Sequence, residues 1–74
     1  MKLDYHQYIT INPEIRFGKP CITGTRISVY DVLSWLASGM SSDEIIEDFP
    51  QLNKQQIMSC LQYAADKERI LKVA

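Results

Sequence analysis

The chain is short of zinc-type ligands: one histidine, His6, and two cysteines, Cys21 and Cys60, among 74 residues. Far apart and without any C-x-x-C pairing, they do not fill a tetrahedral metal site from one chain. In a reducing compartment both cysteines read as small buried hydrophobes, and His6 reads as a surface residue. No apolar run approaches the roughly 20 residues that span a bilayer, and no basic start leads into an apolar leader. The chain therefore reads as cytoplasmic. Three glycines and three prolines are too few for a low-complexity segment. Charge of one sign is also lacking: eight basic against nine acidic residues leave a net −1. That excludes a bulk electrostatic grip on nucleic acid.

What charge there is falls in blocks. Up to residue 27, Lys2, Arg16, Lys19 and Arg26 stand against Asp4 and Glu14, a net +2. Residues 28–53 hold Asp31, Asp43, Glu44, Glu47 and Asp48 with no basic residue, a net −5. From residue 54, Lys54, Lys67, Arg69 and Lys72 face Asp66 and Glu68, again +2. A local basic face is left open by these sums. The acidic block, with no second cluster to complete it, reads as a solvated helix face and not as a divalent-metal centre. No cofactor, metal or catalytic residue is expected.

The chain is organised around Gly18-Lys19-Pro20-Cys21-Ile22-Thr23-Gly24-Thr25-Arg26. Gly18 and Gly24 suit turns that need positive φ, and Pro20 removes a ladder donor. Cys21-Ile22-Thr23 between them is a short β-prone run. Lys19 leads into Pro20, and not into the Ser or Thr that a phosphate-binding loop requires. Upstream, Tyr8-Ile9-Thr10-Ile11 and Ile15-Arg16-Phe17 add two more β-prone runs behind a loose start. The expectation is a hairpin-like arm of two or three strands that pairs with a second copy, or an irregular arm lying on the helices.

Three helices follow. Ser28 is an N-cap with Asp31 in the first turn, and Val29, Val32, Leu33, Leu36, Ala37 and Met40 repeat at helical spacing up to Gly39. Trp35 lies off that stripe, as core edge or as interface anchor. Ser41 or Ser42 caps a short second helix with Ile45, Ile46 and Phe49 inward and Pro50 as its stop. Asn53 and Gln56 form a capping pair for a third helix with Ile57, Cys60, Leu61 and Ala64 inward. Gln55, Gln56, Ser59, Gln62, Tyr63 and Asp66 lie on its other side. Residues 67–74 either prolong this helix or form a partner-binding tail. The order matches a helix-turn-helix unit. Gln and Ser on the third helix have the donors and acceptors that read base edges. Arg16, Lys19 and Arg26 on the arm suit phosphates.

The runs Ile11-Asn12-Pro13-Glu14, Gly18-Lys19-Pro20-Cys21-Ile22, Gly24-Thr25-Arg26-Ile27, Gly39-Met40-Ser41 and Ile45-Ile46-Glu47-Asp48-Phe49-Pro50 resemble the small bacterial proteins grouped as domain of unknown function 433. The resemblance covers about residues 8–66. It implies a helix-turn-helix-like fold with an N-terminal β arm. It also implies an antitoxin that binds and blocks a small PIN-like ribonuclease toxin and represses its own operon. Residues 67–74 are short beside a long toxin-wrapping segment.

The sequence thus points to a mainly α chain: arm 1–27, tri-helical domain 28–66 and extension 67–74. The expected function is a non-catalytic, homodimeric antitoxin. Toxin contact is assigned to Lys67, Arg69, Ile70, Leu71, Lys72 and Val73. DNA contact is assigned to Arg16, Lys19, Arg26, Lys54, Gln55, Gln56 and Ser59. The alternatives are a stand-alone DNA-binding regulator and an adaptor that docks another protein through Gly18–Cys21.

Overall fold

Three side-chain caps start the three helices. The computed structural model describes residues 5–72, with side chains through residue 68. Helix α1 (Val29–Ala37) begins at Ser28, whose hydroxyl accepts from Asp31 N–H while the Asp31 carboxylate accepts from Ser28 N–H. Helix α2 (Ser42–Asp48) repeats this capping box with Ser41 and Glu44. Helix α3 (Lys54–Lys72) does so with Asn53 and Gln56. Each box satisfies two backbone donors that a helix start otherwise leaves orphaned. At the far end of α1 the chain turns at Gly39, with φ of 105°.

Ahead of the helices, β1 (Ile9–Thr10) pairs antiparallel with β2 (Cys21–Ile22), Ile9 opposite Ile22 and Thr10 opposite Cys21. The chain is therefore mainly α with a short N-terminal β arm. The other edge of β2 is taken by the chain that follows it. Cys21 bridges to Ser28, Ile22 N–H donates to Ile27 C=O, and Val29 N–H donates to Pro20 C=O. Arm and helices share one core: Ile9, Ile22, Val29, Val32, Ile45, Leu52, Ile57 and Cys60. Trp35 is half-buried and stacks on Phe49, ring centroids 4.6 Å apart at 13°.

Three sequence expectations are corrected. Residues 15–17 are not a strand: Arg16, Phe17 and Gly18 take φ of 51°, 59° and 83°, a left-handed turn. Within the expected loose start, residues 1–4 fall outside the described residues, but Tyr5–Gln7 form one turn of 3₁₀ helix packed on α3. Tyr5 OH donates to Asp66 Oδ2 at 2.8 Å, its ring meets Tyr63 edge-on, and Tyr8 OH donates to Gln55 Oε1 at 3.2 Å. Residues 55, 59, 63 and 66 lie along one side of a helix, so the arm covers the side of α3 read from sequence as outward. In consequence Ser59 is fully buried, whereas Leu61, expected inward, is 41% exposed.

Candidate functional site

Most side chains assigned to DNA are occupied within the fold. Arg16 Nη1 donates to Arg26 C=O at 2.8 Å and to Asp31 Oδ2 at 3.2 Å, so its charge is neutralised by an internal partner. Lys54 sits 3.5 Å from Asp43 in an exposed pair. Gln55 is held by Tyr8, and Gln56 caps its own helix. Ser59 donates to Gln55 C=O at 2.8 Å from inside the core. That is a correction: a side chain without solvent access does not read a base edge. Lys19 and Arg26 remain, both exposed. Gln56→Ala is expected to cost about 0.5–1.5 kcal/mol, one capping hydrogen bond. A lower urea midpoint, with any DNA preference unchanged, checks this.

The left-handed turn is the most unusual backbone among the described residues. Side chains at consecutive positive φ cost about 1–3 kcal/mol each and persist only where their surroundings over-determine them. Here Asn12 Oδ1 accepts from Glu14 N–H, Ile15 N–H donates to Asn12 C=O, and Lys19 N–H donates to Arg16 C=O. Arg16 ties the turn to α1 through Asp31. Burial works to raise the Asp31 pKa, but the Ser28 N–H and Arg16 bonds outweigh it and hold the carboxyl below its ordinary 3.8. The product of this bracing is Phe17, 99% exposed.

A mostly apolar groove of about 640 Å³ opens between the start of α1 and the later turns of α3. Its walls include Lys19, Pro20, Tyr30, Leu33, Tyr63 and Lys67. Tyr30 is 71% exposed, and Lys67 Nζ lies 5.3 Å from the Tyr63 ring centre. Three separate segments build this groove, and no sequence signal assembles it. Its one local hint is Tyr30, an aromatic off the inward stripe of α1.

Among the assigned toxin-contact residues, Lys67 is exposed on this groove. Arg69, Ile70, Leu71 and Lys72 lie on the α3 backbone, but their side chains fall outside the described residues, as does all of Val73. No three His, Cys, Asp or Glu side chains among the described residues group as a metal site. Cys21 and Cys60 are free and buried, and burial pushes the Cys60 thiol up to about 12. No helix among the described residues is long and apolar enough to cross a membrane.

Residues 9–64, from β1 to the groove wall of α3, match the family described as "Protein of unknown function (DUF433)". The chain belongs to the DUF433 family. It is 36% identical over 58 residues to the uncharacterized protein y4eO of Sinorhizobium fredii. That alignment covers 78% of this DUF433 chain but 26% of the relative, about a quarter of its length. The crystal structure of a DUF433 member protein from Anabaena variabilis superposes with a TM-score of 0.80 at 21% identity. It covers 90% of this chain and 66% of that one, a likeness that shows the shared fold.

Proposed function

We propose that this DUF433 chain is a cytoplasmic, non-catalytic antitoxin that holds a small PIN-like ribonuclease inactive by protein–protein contact. The observation carrying the reading is the length of α3. Asp66, bonded to Tyr5, is its last half-buried residue among the described side chains, yet the helix runs on to Lys72. The sequence of that extension interleaves Lys67, Arg69 and Lys72 with Ile70 and Leu71. A helix of this composition suits docking into an apolar groove of a partner, with basic groups meeting the acidic metal site of a nuclease. Operator binding, the second part of the proposal, falls to Lys19 and Arg26, since Gln55 and Gln56 are engaged elsewhere.

Replacing Lys67, Arg69 and Lys72 together by alanine is expected to abolish neutralisation while leaving the circular dichroism spectrum unchanged. The check is RNA cleavage by the co-expressed nuclease, titrated with wild-type or variant antitoxin. Full neutralisation by a folded triple variant overturns the assignment.

A further inference from the structure

We propose that the groove between α1 and α3 binds a small amphipathic acid, an apolar body carrying a single carboxylate. Its volume of about 640 Å³ falls within the roughly 300–1,000 Å³ of ordinary small-molecule sites. Such sites are mainly apolar, with a few polar groups that fix the ligand's orientation. Pro20, Val29, Tyr30, Leu33, Tyr63 and Ala64 supply the apolar surface. Part of it is set in place by the fold itself. Val29 N–H donates to Pro20 C=O, and the Tyr63 ring lies edge-on to Tyr5 with centroids 5.7 Å apart. A wall held in this way needs little reordering when a ligand arrives.

The charges decide which ligand. Among the described residues, Arg16 is paired with Asp31 and Lys54 with Asp43, whereas Lys19, Arg26 and Lys67 form no ion pair. Two of those unpaired cations, Lys19 and Lys67, line the groove, and both are exposed. Lys67 Nζ stands 5.3 Å from the Tyr63 ring centre, so its charge lies directly beside the apolar wall. The lining has one carboxylate, Glu68, which already has an interaction of its own. Lys19 and Lys67 against Glu68 leave one positive charge, which matches a monoanion. A neutral apolar ligand leaves both ammonium groups unused, and a free phosphate has no body for the wall. Ser28 also lines the groove, but it is buried and its hydroxyl oxygen accepts from Asp31 N–H. The lysines are left to meet the anion.

The test needs neither nuclease nor DNA, so its outcome is separate from the antitoxin reading. The isotope-labelled full chain is titrated by NMR with octanoate and, in parallel, with octan-1-ol. Octanoate is expected to give saturable shifts at the amides of Tyr30, Leu33, Ala64 and Lys67, and to bind roughly tenfold more tightly than the alcohol. Replacing Lys19 and Lys67 together by alanine is expected to remove that difference, weakening octanoate and leaving octan-1-ol unchanged. Both lysines are exposed, so this variant is expected to keep the wild-type circular dichroism spectrum. Tyr30→Ala, which removes wall and not charge, is expected to weaken acid and alcohol alike. Non-saturable shifts, shifts centred outside the groove, equal affinity for acid and alcohol in the wild type, or an unweakened lysine variant each overturn the proposal. So does a wild-type dimer that takes up no octanoate and has its groove amides protected, since the groove then belongs to a second copy.

Discussion

Ile57→Ala is expected to remove about 2–5 kcal/mol of stability, the usual cost of truncating a fully buried aliphatic side chain. A chain of this length holds only roughly 4–11 kcal/mol in total, at about 0.05–0.15 kcal/mol per residue. The variant therefore forfeits a large share of its stability. Ile57 is wholly inaccessible and belongs to the core with Ile22, Val32 and Ile45, so the cavity opens where arm and helices meet and no side chain from solvent refills it. Urea denaturation measures this well, because Trp35 on Phe49 reports tertiary packing by fluorescence. Leu61→Ala, one turn further along the same helix, is expected to fall within about 0.5 kcal/mol of wild type. Equal losses at the two positions would return α3 to the register expected from sequence and contradict the buried Ser59.

Asp31→Asn is expected to cost about 1.5–3 kcal/mol near neutral pH, the range for hydrogen bonds to a charged group. The carboxylate accepts from Ser28 N–H and pairs with Arg16, and both side chains of the pair are largely sheltered, at 29% and 33% exposure. Its pKa lies below the ordinary 3.8 in the folded chain. The sign follows: the unfolded chain binds this proton first, so the contribution is complete above 3.8 and is lost as pH falls through the folded value. Wild type should thus lose stability below about pH 4, where the asparagine variant shows a flatter response. The substitution also releases Arg16 from its anion, so the left-handed turn loses a brace. Urea midpoints from neutral pH downward check the pH dependence. Parallel pH profiles for the two proteins would show that Asp31 carries no such charge-dependent bond.

The parts of this fold that were legible in sequence are those decided within four residues. Ser28 with Asp31, Ser41 with Glu44 and Asn53 with Gln56 are local bonds between side chain and backbone, and their spacing declares them. The buried positions of α1 and α2 follow from helical periodicity in the same way. The orientation of α3 was not legible, because it depends on Tyr5 and Tyr8 arriving from the other end of the chain. Ile15-Arg16-Phe17 has the composition of a strand, but the handedness of its backbone is decided by Arg16 reaching Arg26 and Asp31. The same distinction governs the site. Arg16, Lys54, Gln55, Gln56 and Ser59 were chosen for what their side chains can bond, and the folded chain shows what they already bond. Resemblance to the family rests on short runs, most of them glycine- and proline-bearing turns, so it holds through residues 9–64 whatever face α3 presents.

The two tyrosines of the arm also set a schedule for synthesis. Tyr5 meets Asp66 across 61 positions and Tyr8 meets Gln55 across 47, and contacts of such separation form late. On the ribosome the arm emerges first, with Ile9 and Ile22 lacking Ile57 and Cys60 to pack against. Until α3 has cleared the exit tunnel, those side chains stay open to chaperones and proteases.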